Sequence, residues 1–85
     1  MQVTPNPAES QIILYFTLPY KSNFKCRINI YDVFGQLIDN IIQEGNNGEN
    51  EYLLDVRNYS TGVYFVRLIS DDLKGNCKFL VIHSF

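Results

Sequence analysis

The sequence predicts an all-β domain, an antiparallel sandwich of six or seven strands. Apolar and polar residues alternate with a period of two in several short segments, as in strands that bury one face. Clusters of Gly, Asn, Asp and Ser separate these segments about every ten residues, a spacing typical of sandwiches and barrels. No segment has the longer period of an amphipathic helix, which excludes sheets with helical crossovers.

The strand signal is most regular in the second and third segments. In order, the predicted strands are a short one at Gln2 to Thr4, then Gln11 to Leu18, Phe24 to Tyr31, Gln36 to Glu44, Tyr52 to Val56, Val63 to Ile69 and Cys77 to Ile82. The fourth contains the doublets Leu37-Ile38 and Ile41-Ile42, so we expect it to be short and bulged. The alternation also predicts the core residues: Ile12, Leu14, Phe16, Ile28, Ile30, Leu54, Tyr64, Val66 and Leu68.

The connections between strands are predicted from residues that favour turns. Gly45-Asn46-Asn47-Gly48 is the strongest turn signal, because Gly and Asn accept positive φ angles. A second loop spans Asn58 to Gly62, and Ser70-Asp71-Asp72 with Gly75-Asn76 brackets a third turn. Asp32 and Gly35 are expected to turn one strand into the next, with Gly35 in a conformation that other residues avoid.

Composition argues against several classes of function. With 85 residues the chain forms one domain, and its 46% apolar content is enough for a core. The net charge is −2 and the seven basic residues are scattered singly, so we expect neither nucleic-acid binding nor an electrostatic membrane contact. The longest apolar run, Phe79 to Ile82, is far too short to span a bilayer. No signal peptide opens the sequence, so we expect either a cytoplasmic protein or a piece of a longer exported chain.

The sequence contains no recognisable combination of catalytic residues, so we predict that the chain is not an enzyme. Ser or Cys nucleophiles need a base, and the single histidine, His83, is interpreted as a solvated side chain near the terminus. The acidic pairs Asp71-Asp72 and Glu49/Glu51 are interpreted as solvated loop acids. Because the sequence contains neither a phosphate-cradling loop nor a regular set of metal ligands, we expect no cofactor and no metal.

Two sets of residues leave alternatives open. Cys26 and Cys77 are either reduced side chains in the core or a disulfide between two strands, which an oxidising compartment would permit. Tyr15, Tyr31 and Phe65 are predicted on the faces opposite the core. They either form an aromatic strip that binds carbohydrate or a partner, or pair across neighbouring strands.

Four segments in order resemble one family over essentially the whole chain. They are Val3 to Pro7, which contains Pro5, Asn6 and Pro7; Ile28 to Leu37, which contains Asp32 and Gly35; Ser60 to Leu68, which contains Gly62 and Tyr64; and Lys78 to Ile82. Together they resemble the type A C-terminal sorting domain of the type IX (Por) secretion system of Bacteroidetes. Each motif alone is weak, but the ordered set at this spacing is fairly specific.

The shared motifs also have physical roles. Pro5 and Pro7 are expected to fix an extended segment that fits a sheet edge. Gly62 followed by Tyr64 after a loop is similar to the tyrosine corner of immunoglobulin-like sandwiches, in which the hydroxyl bonds to nearby backbone. We therefore expect an immunoglobulin-like sandwich in which Tyr64 closes the loop and the loop needs Gly62.

The resemblance implies a sorting signal that performs no reaction. Residues 1–85 are then a single C-terminal domain excised from a larger secreted protein, with the cargo upstream. The implied partners are the outer-membrane type IX translocon and a sortase-like cysteine peptidase that removes the domain. The implied route runs through the periplasm and outer membrane to the cell surface or the medium, without membrane insertion. By the match, the recognition residues are Gly62, Tyr64, Lys78, Phe79, Leu80 and Val81.

Two other functions fit parts of the sequence. An immunoglobulin-like structural module similar to the flagellar hook-capping domain shares the Pro-Asn-Pro and Gly-x-Tyr features. A carbohydrate-binding sandwich attached to a hydrolase would need exposed aromatic side chains in a row. His83 stands near the position at which many sorting domains have a second basic residue.

Overall fold

The computed structural model describes residues 1–18, 24–45, 48–70 and 73–83, and its strands form two antiparallel sheets. In these residues the strands are β1 (Gln2–Thr4), β2 (Gln11–Leu18), β3 (Phe24–Tyr31), β4 (Leu37–Gly45), β5 (Gly48–Asp55), β6 (Gly62–Ser70) and β7 (Leu73–Val81). One sheet has the order β1-β2-β5 and the other the order β4-β3-β6-β7. The predicted all-β sandwich is confirmed.

The core lies between the two sheets and consists of the inward residues of the alternating strands. All nine side chains predicted in the core are buried: Ile12, Leu14, Phe16, Ile28, Ile30, Leu54, Tyr64, Val66 and Leu68. The same cluster also contains Ala8, Leu18, Cys26, Val56, Phe79 and Val81. Each large apolar side chain contributes about 1.5–3 kcal/mol on burial, so the alternating pattern as a whole holds the sheets together.

The last strand is longer than the sequence predicts. It begins at Leu73, so Gly75 and Asn76, which were expected to border a turn, lie inside the strand. Gly75 pairs with Leu68 and Asn76 pairs with Arg67, and this pairing with β6 overrides the weak strand preference of Gly and Asn. Four residues of the predicted turns lie outside the described residues: Asn46, Asn47, Asp71 and Asp72.

Asp32 and Gly35 form the turn between β3 and β4, as predicted. The Asp32 carboxylate accepts hydrogen bonds from the backbone N–H groups of Phe34 and Gln36, each at 2.9 Å. Gly35 donates its N–H to Asp32 O at 3.1 Å and has a φ of 79°, a left-handed conformation that costs other residues free energy. The pairing of β3 with β4 shifts register beside this turn, which agrees with the bulge expected in that region. The expectation that β4 is short is wrong, because it has nine residues.

Gly35→Ala is expected to lower the free energy of unfolding by about 1–2 kcal/mol, because alanine must adopt the left-handed conformation. No atom lies within 4 Å of the position that its Cβ would take, so the effect is conformational and not steric. Urea unfolding measures the change. Gly75→Ala is the control, because a Cβ there would make ordinary contacts, the nearest at 3.7 Å to Leu68. An equal loss in both variants would contradict the role assigned to Gly35.

Cys26 and Cys77 are both free thiols, so the disulfide alternative is wrong. Cys26 lies on β3 and Cys77 on β7, and β6 runs between these strands. Two strand spacings, about 10 Å, separate the strands, which already exceeds the roughly 7 Å between Cα atoms that a disulfide spans. Cys77 also lies in the row of Ile30, four residues along β3 from Cys26. Cys26 is buried in the core, and burial raises the pKa of the Cys77 thiol, which lowers its reactivity.

Candidate functional site

The candidate recognition strand, β7, forms one edge of the four-stranded sheet. In an antiparallel ladder, the N–H and C=O of one residue point to the same side, and those of the next residue point to the other. The N–H and C=O of Leu80 bond to the N-terminal segment and not to β6. The even-numbered residues of β7 therefore turn their backbone groups toward the outer edge, and the odd-numbered residues bond to β6.

The segment after β1 covers one end of this edge. Leu80 donates its N–H to the side-chain oxygen of Asn6 at 2.9 Å. Ala8 donates to Leu80 O at 2.7 Å and accepts from the N–H of Ile82 at 2.8 Å, which makes a short parallel bridge. Asn6 thus bonds directly to the last strand, which explains a side-chain amide at this place in the motif.

Pro5 and Pro7 flank Asn6, and both follow cis peptide bonds. Residues 5–7 form bends, so the straight, extended segment predicted from the prolines is wrong. The segment does lie beside a sheet edge, as expected from the sequence. Proline suits an edge because it has no N–H to leave unpaired.

The other end of the β7 edge is open in the sense that no described strand is paired with it, and Met1 lies near Gly75 on its inner side. Lys74, Asn76 and Lys78 turn their backbone groups outward, and no hydrogen bond from another described residue reaches these groups. Their side chains are all exposed on the outer face of the sheet. Such an edge can accept a further strand, because each outward residue offers one donor and one acceptor.

Tyr64 closes the loop between β5 and β6, as the tyrosine corner predicts. Its side chain is 6% exposed, and its hydroxyl donates to Ser60 O at 2.7 Å. Tyr59 packs against the ring with centroids 5.0 Å apart, and Phe79 of β7 stacks on it at 5.6 Å. The Tyr59 hydroxyl donates to Asp39 Oδ2 at 3.3 Å, which links the loop to β4. Burial raises the pKa of both tyrosine hydroxyls, so both remain protonated donors at neutral pH.

Gly62 opens β6 and pairs with Val81 of β7. Its φ is 159°, close to fully extended backbone. Nothing lies within 4 Å of the position that a Cβ would take. As at Gly35, the surrounding space therefore gives no steric reason for glycine, and the expectation that the loop needs Gly62 stays a prediction.

His83 is not the solvated terminal side chain that the sequence predicts. It is half-buried, and its ring donates through Nε2 to Tyr59 O at 2.5 Å. Its backbone N–H donates to Thr61 Oγ1 at 3.1 Å. These bonds tie the residues after β7 to the loop that Tyr64 closes. Single-sequence reasoning missed them because the partners are more than twenty positions away.

The six predicted recognition residues fall into two groups. Lys78 is exposed on the outer face, where another protein can contact it. The other five are buried or half-buried: Gly62, Tyr64, Phe79, Leu80 and Val81. Lys74 and Asn76 lie on the same edge as Lys78 but were not among the predicted recognition residues. The alternation of polar and non-polar residues from Lys74 to Phe79 is the signal that would have found them.

The three candidate surface aromatics do not form one strip. Tyr31 and Phe65 are opposite each other in the register of β3 and β6, so pairing across strands is confirmed for these two. Tyr15 lies on β2, in the other sheet.

Among the described residues, no three His, Cys, Asp or Glu side chains are placed to hold a metal ion. The same residues contain no helix long and apolar enough to cross a membrane.

Comparison with known proteins identifies the family. A family model described as "Secretion system C-terminal sorting domain" matches residues 2–83, which include both the Asn6 segment and β7. No match was found among curated proteins or among solved structures. The family match does not favour the hook-capping or carbohydrate-binding-module alternatives. The chain belongs to the secretion system C-terminal sorting domains, and it is a sorting signal for type IX secretion.

Proposed function

We propose that the open edge of β7, from Lys74 to Lys78, is the surface that the outer-membrane type IX translocon recognises. Residues 1–85 are a single C-terminal domain of the type A class, belonging to a larger secreted Bacteroidetes protein whose cargo lies upstream. The translocon binds the domain in the periplasm and passes the cargo through the outer membrane to the cell surface. A sortase-like cysteine peptidase then removes the domain.

One observation carries this proposal: the same strand combines an open edge with buried anchors. Phe79 is 1% exposed and Val81 is fully buried, so β7 is held in one register. A receptor that adds a strand gains affinity from main-chain hydrogen bonds and specificity from side chains at alternate positions. Lys74, Asn76 and Lys78 stand at alternate positions along the open edge. Gly62, Tyr64, Phe79, Leu80 and Val81 act from inside the domain by fixing that edge.

Asn76→Pro is expected to abolish surface display of a periplasmic reporter fused upstream of the domain. Proline removes the outward N–H of Asn76 and fills the edge with its ring, without breaking a hydrogen bond to β6. The fusion is expressed in a Bacteroidetes host that has the type IX machinery. Digestion of intact cells with added protease measures display, and the variant reporter should remain protected in the periplasm.

Ile42→Pro is the matched control at the opposite edge of the same sheet. The N–H of Asn40 bonds to Asp39 Oδ1 at 2.9 Å and not to β3, so the N–H of Ile42, two residues on, also points outward. Display should survive this change. Thermal unfolding of both purified variants establishes that they fold. Display that survives Asn76→Pro would contradict recognition by strand addition, and failure of the intact domain to display any reporter would contradict the role assigned to this surface.

Removal of the domain is measured on the same cells. The displayed reporter should be smaller than the fusion by the 85 residues of the domain. In a host that lacks the sortase-like peptidase it should keep its full size. A full-size fusion on the surface of the complete host would contradict the cleavage step and leave the translocon contact standing.

A further inference from the structure

The outer face of the four-stranded sheet, called here the basic face, collects most of the positive charge of the molecule. Seven residues of the chain are basic, and five of them are exposed on this face: Lys25, Arg27, Arg67, Lys74 and Lys78. Within the described ranges, a single carboxylate, Glu44 opposite Lys25, shares the face. None of the five forms an ion pair with a described residue.

Arg67 lies at the centre of the basic face. The register places Asn29 of β3 on one side of it and Asn76 of β7 on the other. Diagonal neighbours on adjacent strands lie about 7–8 Å away. Three of the four diagonal neighbours of Arg67 are basic: Arg27, Lys74 and Lys78. Like charges at this spacing repel one another. Bound anions would relieve this repulsion and so lower the free energy of the face.

A row of polar side chains crosses the sheet through Arg67. Asn40, Asn29, Arg67 and Asn76 are successive partners in the four strands, and three strand spacings make the row about 14 Å long. Asn29 donates through Nδ2 to the Tyr31 hydroxyl at 3.1 Å, and its Oδ1 is a buried acceptor with no hydrogen-bond partner. That oxygen is out of reach of a ligand, but the exposed Asn40 and Asn76 amides and the Arg67 guanidinium can donate to or accept from hydroxyl groups along one line.

Aromatic rings border this polar row. Tyr31 and Phe65 are partners in the next row of the sheet, and Phe65 is 43% exposed. An exposed ring on a flat sheet is an amphipathic surface on which the apolar side of a sugar ring can pack. The opposite outer face of the molecule has the other charge sign, with Glu49 and Glu51 exposed on β5.

We infer that the basic face binds an acidic polysaccharide, a glycan chain that carries anionic groups. The charge of the face is complementary to an anionic polymer. The amide row and the exposed Phe65 ring provide contacts for a sugar backbone that a plain polyanion cannot use. The inference goes beyond the sorting role. The basic face shares Lys74, Asn76 and Lys78 with the open edge of β7, so the test uses Arg67 and Phe65, which lie on β6 and not on that edge.

Calorimetric titration of the 85-residue chain with polygalacturonate tests the inference. The parent should bind polygalacturonate, should bind it more weakly as salt screens the charges, and should not bind neutral dextran. Arg67→Gln and Phe65→Thr should each weaken binding by about tenfold, through loss of a charge-assisted hydrogen bond or of the ring contact. Arg57→Gln removes the same charge outside the face and should leave the affinity nearly unchanged.

Thermal unfolding establishes that each variant is folded at the temperature of the titration. Absence of binding to polygalacturonate would overturn the inference. Equal affinity for polyglutamate at the same concentration of carboxylate groups would also overturn it, since charge alone would then account for the contact. An equal loss in Arg57→Gln and Arg67→Gln would do the same, because the net charge would matter and the face would not.

Discussion

Tyr64→Ala is expected to lower the free energy of unfolding by about 3–5 kcal/mol, the cost of emptying a buried aromatic site. The Tyr64 ring is 6% exposed and packs against both Tyr59 and Phe79. Because a small domain is stable by only roughly 5–10 kcal/mol, this loss removes much of its stability. Tyr64→Phe keeps the ring and removes only the hydroxyl that donates to Ser60, so its expected cost is about 1 kcal/mol.

Urea unfolding of the parent and both variants at neutral pH separates the ring from the hydroxyl. Phe65→Ala is the control, because Phe65 is the next residue of β6 but points to the outer face and is 43% exposed. Its loss should be small by comparison. If Tyr64→Phe were as costly as Tyr64→Ala, the hydrogen bond and not the packing would dominate the corner. Two variants as stable as the parent would contradict the corner itself.

Phe79→Ala is expected to destabilise the domain by a similar amount, about 3–5 kcal/mol, and to abolish surface display of the reporter fusion. Phe79 is 1% exposed and stacks on Tyr64, so a receptor cannot touch it in the folded domain. Loss of display would therefore follow from unfolding and degradation of the fusion in the periplasm. Phe79→Leu keeps most of the apolar volume, and we expect it to cost about 1 kcal/mol and to retain display.

Comparing the two Phe79 variants distinguishes a structural residue from a recognised one. Unfolding is measured on the purified domains, and display is measured on cells grown at the same temperature. A folded Phe79→Leu domain that fails to display its reporter would show that the translocon contacts this side chain directly. In that case β7 would have to leave the sheet during recognition, because the side chain is buried while β7 is in place.

The fold class could be predicted because its main signal is local. Strand alternation has a period of two, so Ile12, Leu14 and Phe16 identify a buried face without any knowledge of their partners. The turn at Asp32 and Gly35 was equally predictable, because its hydrogen bonds span at most four residues. The start of β7 was not, because Gly75 and Asn76 favour turns locally and only their pairing with β6 keeps them in a strand.

The site was predicted in part, for the same physical reason. Tyr64 and its acceptor Ser60 are four positions apart, so the motif alone indicated the corner. The bond from Leu80 to Asn6 joins residues 74 positions apart, and no local pattern shows it. The basic residues are scattered along the chain, yet alternation and strand pairing bring Arg27, Arg67 and their neighbours together on one face.

The bond between Asn6 and Leu80 has a consequence for the order in which a growing chain folds. Synthesis produces the Asn6 segment first and β7 last, so the contact that closes the domain needs nearly every residue between them. Closing so long a loop costs conformational entropy. This cost is offset only when β7 has paired with β6. A chain truncated before Leu73 leaves Asn6 without this partner and β6 as a bare edge. The contact between Asn6 and Leu80 therefore forms only in a domain whose last strand is present.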